Sequence, residues 1–316
     1  MIFNAHSHIF HKNSKSEFYA DAIIDWFSKA ANVSKEVFMQ MPDIDRQLNP
    51  DAEYLVTVMD AYGIDKGLVM LVDFGLSIAG EAKLSVEEMN QWVANQVAEH
   101  PDRLYALCAV DPRRGDRAIK LIEKAVEEWG MKGVKFYPTC GFYPDDPQFF
   151  PFYERCEELN IPIFSHTTIS TMPLMESKYA DPIYLDSVAT KFPDLKIVLI
   201  HLGFRSWTLK CIEIMSKNPN VYADISGWQS IAFYETEQLL RMLHDIFETN
   251  NYGFLPIKHK IMFGTDWPAF EGYLNDKDWA DWVKNIPEKA QEYGLKFKRS
   301  DIENLLGLNA KKLLNI

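Results

Sequence analysis

Cysteine is sparse in this chain and never paired as CxxC: Cys108, Cys140, Cys156 and Cys211 stand apart along 316 residues. That pattern argues against a disulfide framework. Cys108 lies in an apolar run and Cys211 in a helix-period segment, as small core residues do. Cys140, just beyond a strand-like run, is placed where it could neighbour a site. Positive charge is also short, with 33 Lys and Arg against 45 Asp and Glu and a net of −12. That balance opposes general affinity for nucleic acid or an anionic membrane, because phosphate binding needs a basic face. No apolar run reaches the roughly 20 residues that span a bilayer. The first strand-like run starts almost at Met1 and nothing there resembles a signal peptide, so the expected compartment is the cytoplasm. No glycine-rich phosphate loop follows that run, which speaks against a doubly wound nucleotide-binding sheet.

What the chain does have is eight short apolar runs bounded by turn or charged residues: Ile2–Ala5, Gly67–Val72, Leu104–Val110, Gly133–Tyr137, Ile161–Ser165, Ile197–Ile200, Val221–Ile225 and Ile261–Gly264. Most are solidly apolar, as suits parallel strands covered on both faces. Helix-period segments lie between them. In Asp116–Trp129 the apolar residues Ala118, Ile119, Ile122, Ala125, Val126 and Trp129 follow the spacing of one buried stripe. Val86–Ala98, Phe149–Leu159, Pro182–Lys191, Ser206–Met215 and Glu235–Phe247 repeat the theme. Eight strands alternating with helices predict an α/β chain folded as a (β/α)8 TIM barrel, one domain over residues 1–316.

Residues 11–49 exceed an ordinary strand-to-helix connection. Ser16–Ala30 reads as an amphipathic helix and Val33–Met41 is rich in Met and Phe. A helical insertion is therefore expected after the first strand, as a cap over the catalytic end, a dimer contact, or a decoration without function. At the other end, Ser300–Leu314 reads as a closing helix with Ser300 as N-cap and Glu303 completing a capping box.

Active sites of such barrels collect where the strands end. His6 and His8 share one face of a strand, being two residues apart. His166 and His201 follow the fifth and sixth runs, and Asp266 follows the eighth. Four of the eight histidines thus occupy equivalent positions; His100, His244 and His259 look incidental, and His11 is ambiguous. Imidazole and carboxylate donors suit zinc, manganese, iron or cobalt. A set that leaves one position for water or substrate is catalytic, lowering the pKa of bound water towards about 7. Asp266 or His201 is the natural base.

These residues, with the strings Gly133-Val134-Lys135-Phe136-Tyr137-Pro138, His201-Leu202-Gly203 and Phe263-Gly264-Thr265-Asp266-Trp267-Pro268, resemble the amidohydrolase superfamily. The strings are similar to its amidohydrolase-related branch of decarboxylases and hydrolases, and the resemblance runs in order from Met1 to Ile316. The resemblance implies that His6, His8, His166 and Asp266 bind one divalent metal, zinc first and manganese second. His201 would sit beside it as acid/base and donor to substrate. In binuclear members a lysine after the fourth strand is carbamylated and bridges two metals, and Lys135 stands at about that place. A free ammonium binding a substrate carboxylate is the preferred reading of Lys135, and a structural ion pair the third. A homodimer is left open.

The partner is expected to be a small molecule. Arg205 could clamp its carboxylate; Asp111 could instead hold Arg113 and Arg114 for structure. Tyr137, Phe142, Tyr143, Trp228 and Trp267 lie beyond strand ends and could line an aromatic pocket or pack the loops. Hydrolysis of an amide, ester or lactone is the first expectation. Its alternative is non-oxidative decarboxylation of an aromatic or unsaturated acid in the same cradle. A metal-binding scaffold without catalysis would be expected to have lost a ligand or the base, and all five positions are intact.

Overall fold

In the computed structural model, which describes residues 1–249, 255–271 and 274–316, the eight runs form parallel strands. They are Phe3–His8, Lys66–Met70, Leu104–Ala106 continued by Cys108–Ala109, Val134–Phe136, Ile163–His166, Ile197–Ile200, Val221–Asp224 and Ile261–Met262. Neighbours pair in parallel along the series. Across the break in the third strand, Leu107 N donates to Val69 O and Cys108 N to Gly133 O, both at 2.9 Å. The ring closes where Ala5 N donates to Phe263 O at 2.9 Å and His8 N to Trp267 O at 2.7 Å. This is the predicted (β/α)8 barrel, with no open sheet edge between first and last strands.

Period-two alternation divides the strand residues between two cores. Leu68, Met70, Phe164, Val198, Ile200 and Met262 pack inside the barrel with Phe3 and Ala5. Ala310, Leu313 and Leu314 of the last helix, Asn309–Leu314, press on the same cluster and close that end. Val69, Val134, Phe136, Ile163, Leu199 and Ala223 face the surrounding helices. The first strand is irregular: Asn4 pairs with Gly67 but Ser7 with Val69, so it carries one extra residue. A bulge reverses the alternation. Phe3 and Ala5 point inward by ordinary alternation, and the bulge turns His6 and His8 to the same side, where they converge on the barrel mouth.

The insertion forms helices Glu17–Ala30, Lys35–Phe38 and Ile44–Leu48, with Ser16 capping the first through Tyr19 N. Its Tyr19 and Ile23 pack on Val72, Phe74, Tyr137 and Cys140, which follow the second and fourth strands. It thus lies over the end where the strands finish. At the C-terminus the expected cap is displaced. Helix Arg299–Glu303 begins after Lys298, with no side-chain cap. Lys298 O already accepts from Asp301 N at 3.0 Å, which leaves Ser300 inside the first turn. A capping box occurs instead at Ser85 and Glu88, ahead of Val86–Ala98. Among the described residues no helix is long and apolar enough to cross a membrane.

Candidate metal centre and active site

The strand ends bring His6, His8 and Asp266 into contact. His6 Nε2 lies 3.1 Å from His8 Nε2, and Asp266 Oδ1 lies 3.3 Å and 3.4 Å from those two nitrogens. One donor atom each from His6, His201 and Asp266 also falls within 4.8 Å of the others. His166 joins through His201, their ring centroids 4.9 Å apart. Two of these residues are held in the left-handed backbone region, Asp266 at φ 62° and His201 at φ 69°. Non-glycine residues adopt it at a cost of roughly 1–3 kcal/mol, so the surroundings must hold them there. Asp266 N donates to His6 O at 3.0 Å, and the Trp228 indole donates to His201 O at 2.7 Å.

Fixed acceptors decide which ring nitrogens face the cluster. His8 Nδ1 sits 3.1 Å from Met70 O, and His201 Nδ1 sits 3.0 Å from Ser226 O. A carbonyl only accepts, so both Nδ1 atoms carry hydrogen and both Nε2 atoms are left to face the cluster. Burial, reinforced by the Lys135 charge, holds His6 well below its ordinary pKa. Burial does the same for His166, with His201 and Lys135 adding to it, and burial lowers His8. Neutral imidazoles are the ligating form. Burial alone would raise the Asp266 carboxyl, and the charge that the surrounding imidazoles carry when protonated outweighs it and holds the group below the usual carboxylate range.

This donor set fits a divalent ion. With bonds of about 2.0–2.1 Å, a tetrahedral zinc separates its ligand atoms by about 3.3 Å, close to the spacings above. His166 supplies a second sign, because its buried Nε2 has no hydrogen-bond partner. An unpaired buried nitrogen beside two triads of donors is accounted for by a ligand.

Lys135 is 2 % exposed. Its side chain makes no ion pair or hydrogen bond among the described residues, so the structural ion pair is not formed. Burial lowers its pKa to about 8, against the pull of Asp266 and Asp224. Tyr137 lines the same space, its ring 4.7 Å from that of His166 and its hydroxyl 2.9 Å from Ser170 Oγ. Two expected contacts fall elsewhere. Trp267 is fully buried with its ring against Tyr54, which marks it as a packing residue. Arg205 is half exposed and its guanidinium is bound by Glu235 at 2.5 Å, which removes it as a free clamp. Arg113 is held by Asp111 and Arg114 by Asp73 and Glu81. Cys140 is buried beneath the insertion, its thiol pushed up by burial.

Sequence reasoning missed three side chains. Asp224 and Ser226, at the end of the seventh strand, contact both His6 and His201. Asn4 ties the first strand to the last by bonding Ser7 Oγ at 2.7 Å and Thr265 Oγ1 at 2.8 Å. The available signal was a polar residue inside an apolar run.

The chain belongs to the amidohydrolase family, whose model its residues 63–316 match. It is similar to gamma-resorcylate decarboxylase of Polaromonas sp. strain JS666, 24% identical over 289 residues, 77% of this chain and 84% of the relative. It is also similar to 2-amino-3-carboxymuconate-6-semialdehyde decarboxylase of Dictyostelium discoideum, 23% identical over 72% of this chain and 66% of the relative. A solved dihydroxybenzoic acid decarboxylase from Polaromonas sp. JS666, with bound manganese and 2-nitroresorcinol, shares the fold. Its TM-score is 0.63 at 19% identity, covering 99% of this chain and 96% of that one. The molecule is an enzyme of the amidohydrolase superfamily.

Proposed function

We propose that this enzyme is a divalent-metal-dependent, non-oxidative decarboxylase of a small aromatic or unsaturated carboxylic acid. The observation that carries the reading is that the relatives from two different organisms are both named decarboxylases. Hydrolysis, first on sequence grounds, has less behind it and moves to second place.

His6, His8, His166 and Asp266 would hold the ion. Three imidazoles and a carboxylate suit zinc, while manganese is what the solved dihydroxybenzoic acid decarboxylase contains. Once bound, it would withdraw electron density from substrate oxygens and ease the charge left on carbon as carbon dioxide departs. Lys135, a buried ammonium with no direct ion pair among the described residues, would anchor a carboxylate by a charge-assisted hydrogen bond. The Tyr137 ring beside His166 would form one wall of a slot for a flat substrate. Breaking the carbon–carboxylate bond leaves the electron pair on carbon, and a proton must be delivered there. His201 Nε2 is the proposed donor once that nitrogen has taken up a proton from solvent, because Nδ1 is committed to Ser226 O. Asp266 is the second proton carrier.

The test is carbon dioxide release from a panel of hydroxybenzoates and unsaturated acids, run beside amides, esters and lactones. Release that disappears in His201→Asn, with bound metal retained, supports the reading. Turnover of an ester or lactone with no carbon dioxide from any acid would reverse it.

A further inference from the structure

We propose that Ser226 is a positioning residue whose one hydroxyl sets the tautomer and orientation of His6 and, together with the Ser226 carbonyl, holds those of His201. The inference rests on the metal role proposed for His6 and not on the identity of the substrate. Ser226 is fully buried. Its Oγ lies 2.9 Å from His6 Nδ1 and 2.9 Å from His201 Nδ1, and it donates to Asp224 Oδ1. A hydroxyl has one proton, and here the carboxylate takes it. The oxygen can then only accept, so each ring must present Nδ1–H to it and turn Nε2 towards the cluster. One oxygen thereby couples a metal ligand to the proton carrier.

The hub is built, not incidental. Asp224 Oδ1 also accepts from Ser226 N at 2.9 Å and from His201 N at 3.1 Å, fixing the turn that carries the hydroxyl. Asp224 Oδ2 is 3.4 Å from His6 Nδ1. Gly264 makes room for the approach: a Cβ there would lie 3.0 Å from Ser226 Cβ and 3.1 Å from His6 Cβ. The two rings differ in how far they depend on the hydroxyl. His201 Nδ1 keeps Ser226 O as an acceptor, whereas His6 would be left with only the long contact to Asp224.

The experiment compares wild type, Ser226→Ala and Ser226→Thr after metal removal. Zinc affinity is measured by competition with a chromophoric chelator in the absence of substrate, followed by kcat and KM on the reloaded proteins. Ser226→Ala should raise the zinc Kd about 10- to 100-fold and lower kcat with KM nearly unchanged, and Ser226→Thr should restore most of both. Unchanged zinc affinity in Ser226→Ala would overturn the proposal. So would equal losses in both variants, which would assign Ser226 to packing alone. If the alanine variant does not fold, Asp224→Ala removes the acceptor of the Ser226 proton, leaves that proton for a ring nitrogen and should weaken zinc binding as well. Weakened zinc binding in a protein that releases no carbon dioxide would leave this inference standing and remove only the reaction.

Discussion

The same eight strands build two unlike halves of one barrel. At the closed end Phe3, Leu68, Phe164, Val198 and Met262 interlock with Leu313 and Leu314, and the cluster is entirely apolar. At the open end, a few residues further along, His6, Lys135, His166, His201, Asp224 and Asp266 replace them. The first half is what burial favours. The second assembles imidazoles, carboxylates and an ammonium where burial disfavours charge. Stability is therefore concentrated at one end and chemistry at the other, with the hydrogen bonds of Asn4, Asp224 and Ser226 holding the open end in shape.

The sharpest break in this comparison is His201→Asn. Activity should fall about 100- to 10,000-fold, the usual range for a lost proton carrier, while thermal unfolding and metal content stay close to wild type. Loss of fold instead would make His201 a structural residue. At the closed end Phe164→Ala should do the reverse. A loss of about 3–5 kcal/mol is expected in denaturant unfolding, with kcat per folded, metal-loaded molecule retained. A large drop in kcat without loss of stability would dissolve the division between the halves.

Lys135→Met sharpens the comparison further, because it should weaken substrate binding and strengthen the fold together. Its folded pKa of about 8 lies below the ordinary 10.5. Between those values the unfolded chain binds more protons, so stability rises with pH through that window. Removing the ammonium should stabilise the protein at pH 7 by up to about 3 kcal/mol, a gain that fades as the pH climbs towards 10.5. Stability that is lower in the variant, or a gain independent of pH, would mean that the ammonium has a counter-charge in the folded protein. The smallest effect belongs to Arg205→Ala. An exposed pair with Glu235 is worth about 0–1 kcal/mol, and KM should move less than about threefold. A KM rise of ten-fold or more would return Arg205 to the substrate.

Much of this arrangement was legible in the sequence, and what was not has physical causes. Apolar runs located all eight strands, since a parallel strand buried on both faces has little choice of residue. The first run was ended at Ala5, although the strand continues to His8: metal-capable residues break the apolar pattern at the point where the strand reaches the site. For the same reason Asp224 was passed over inside Val221–Ile225. The bulge between Asn4 and Ser7 left no mark in composition, because it is a matter of register with the second strand. Partners of long side chains were equally hidden. Nothing along the chain told whether Arg114 would meet a substrate or Asp73, because those residues lie 41 positions apart and meet only through the loops. Trp267 was placed by order beyond a strand end, but the burial of its ring depends on Tyr54 from a distant helix.

The most direct test is the metal content of the purified protein beside that of a His6→Ala/His8→Ala double variant, both measured by elemental analysis after reconstitution. The barrel mouth described above predicts about one equivalent of zinc or manganese in the wild type and almost none in the variant, with the fold retained. Metal that persists in the variant, or none in the wild type even after reconstitution, would contradict it.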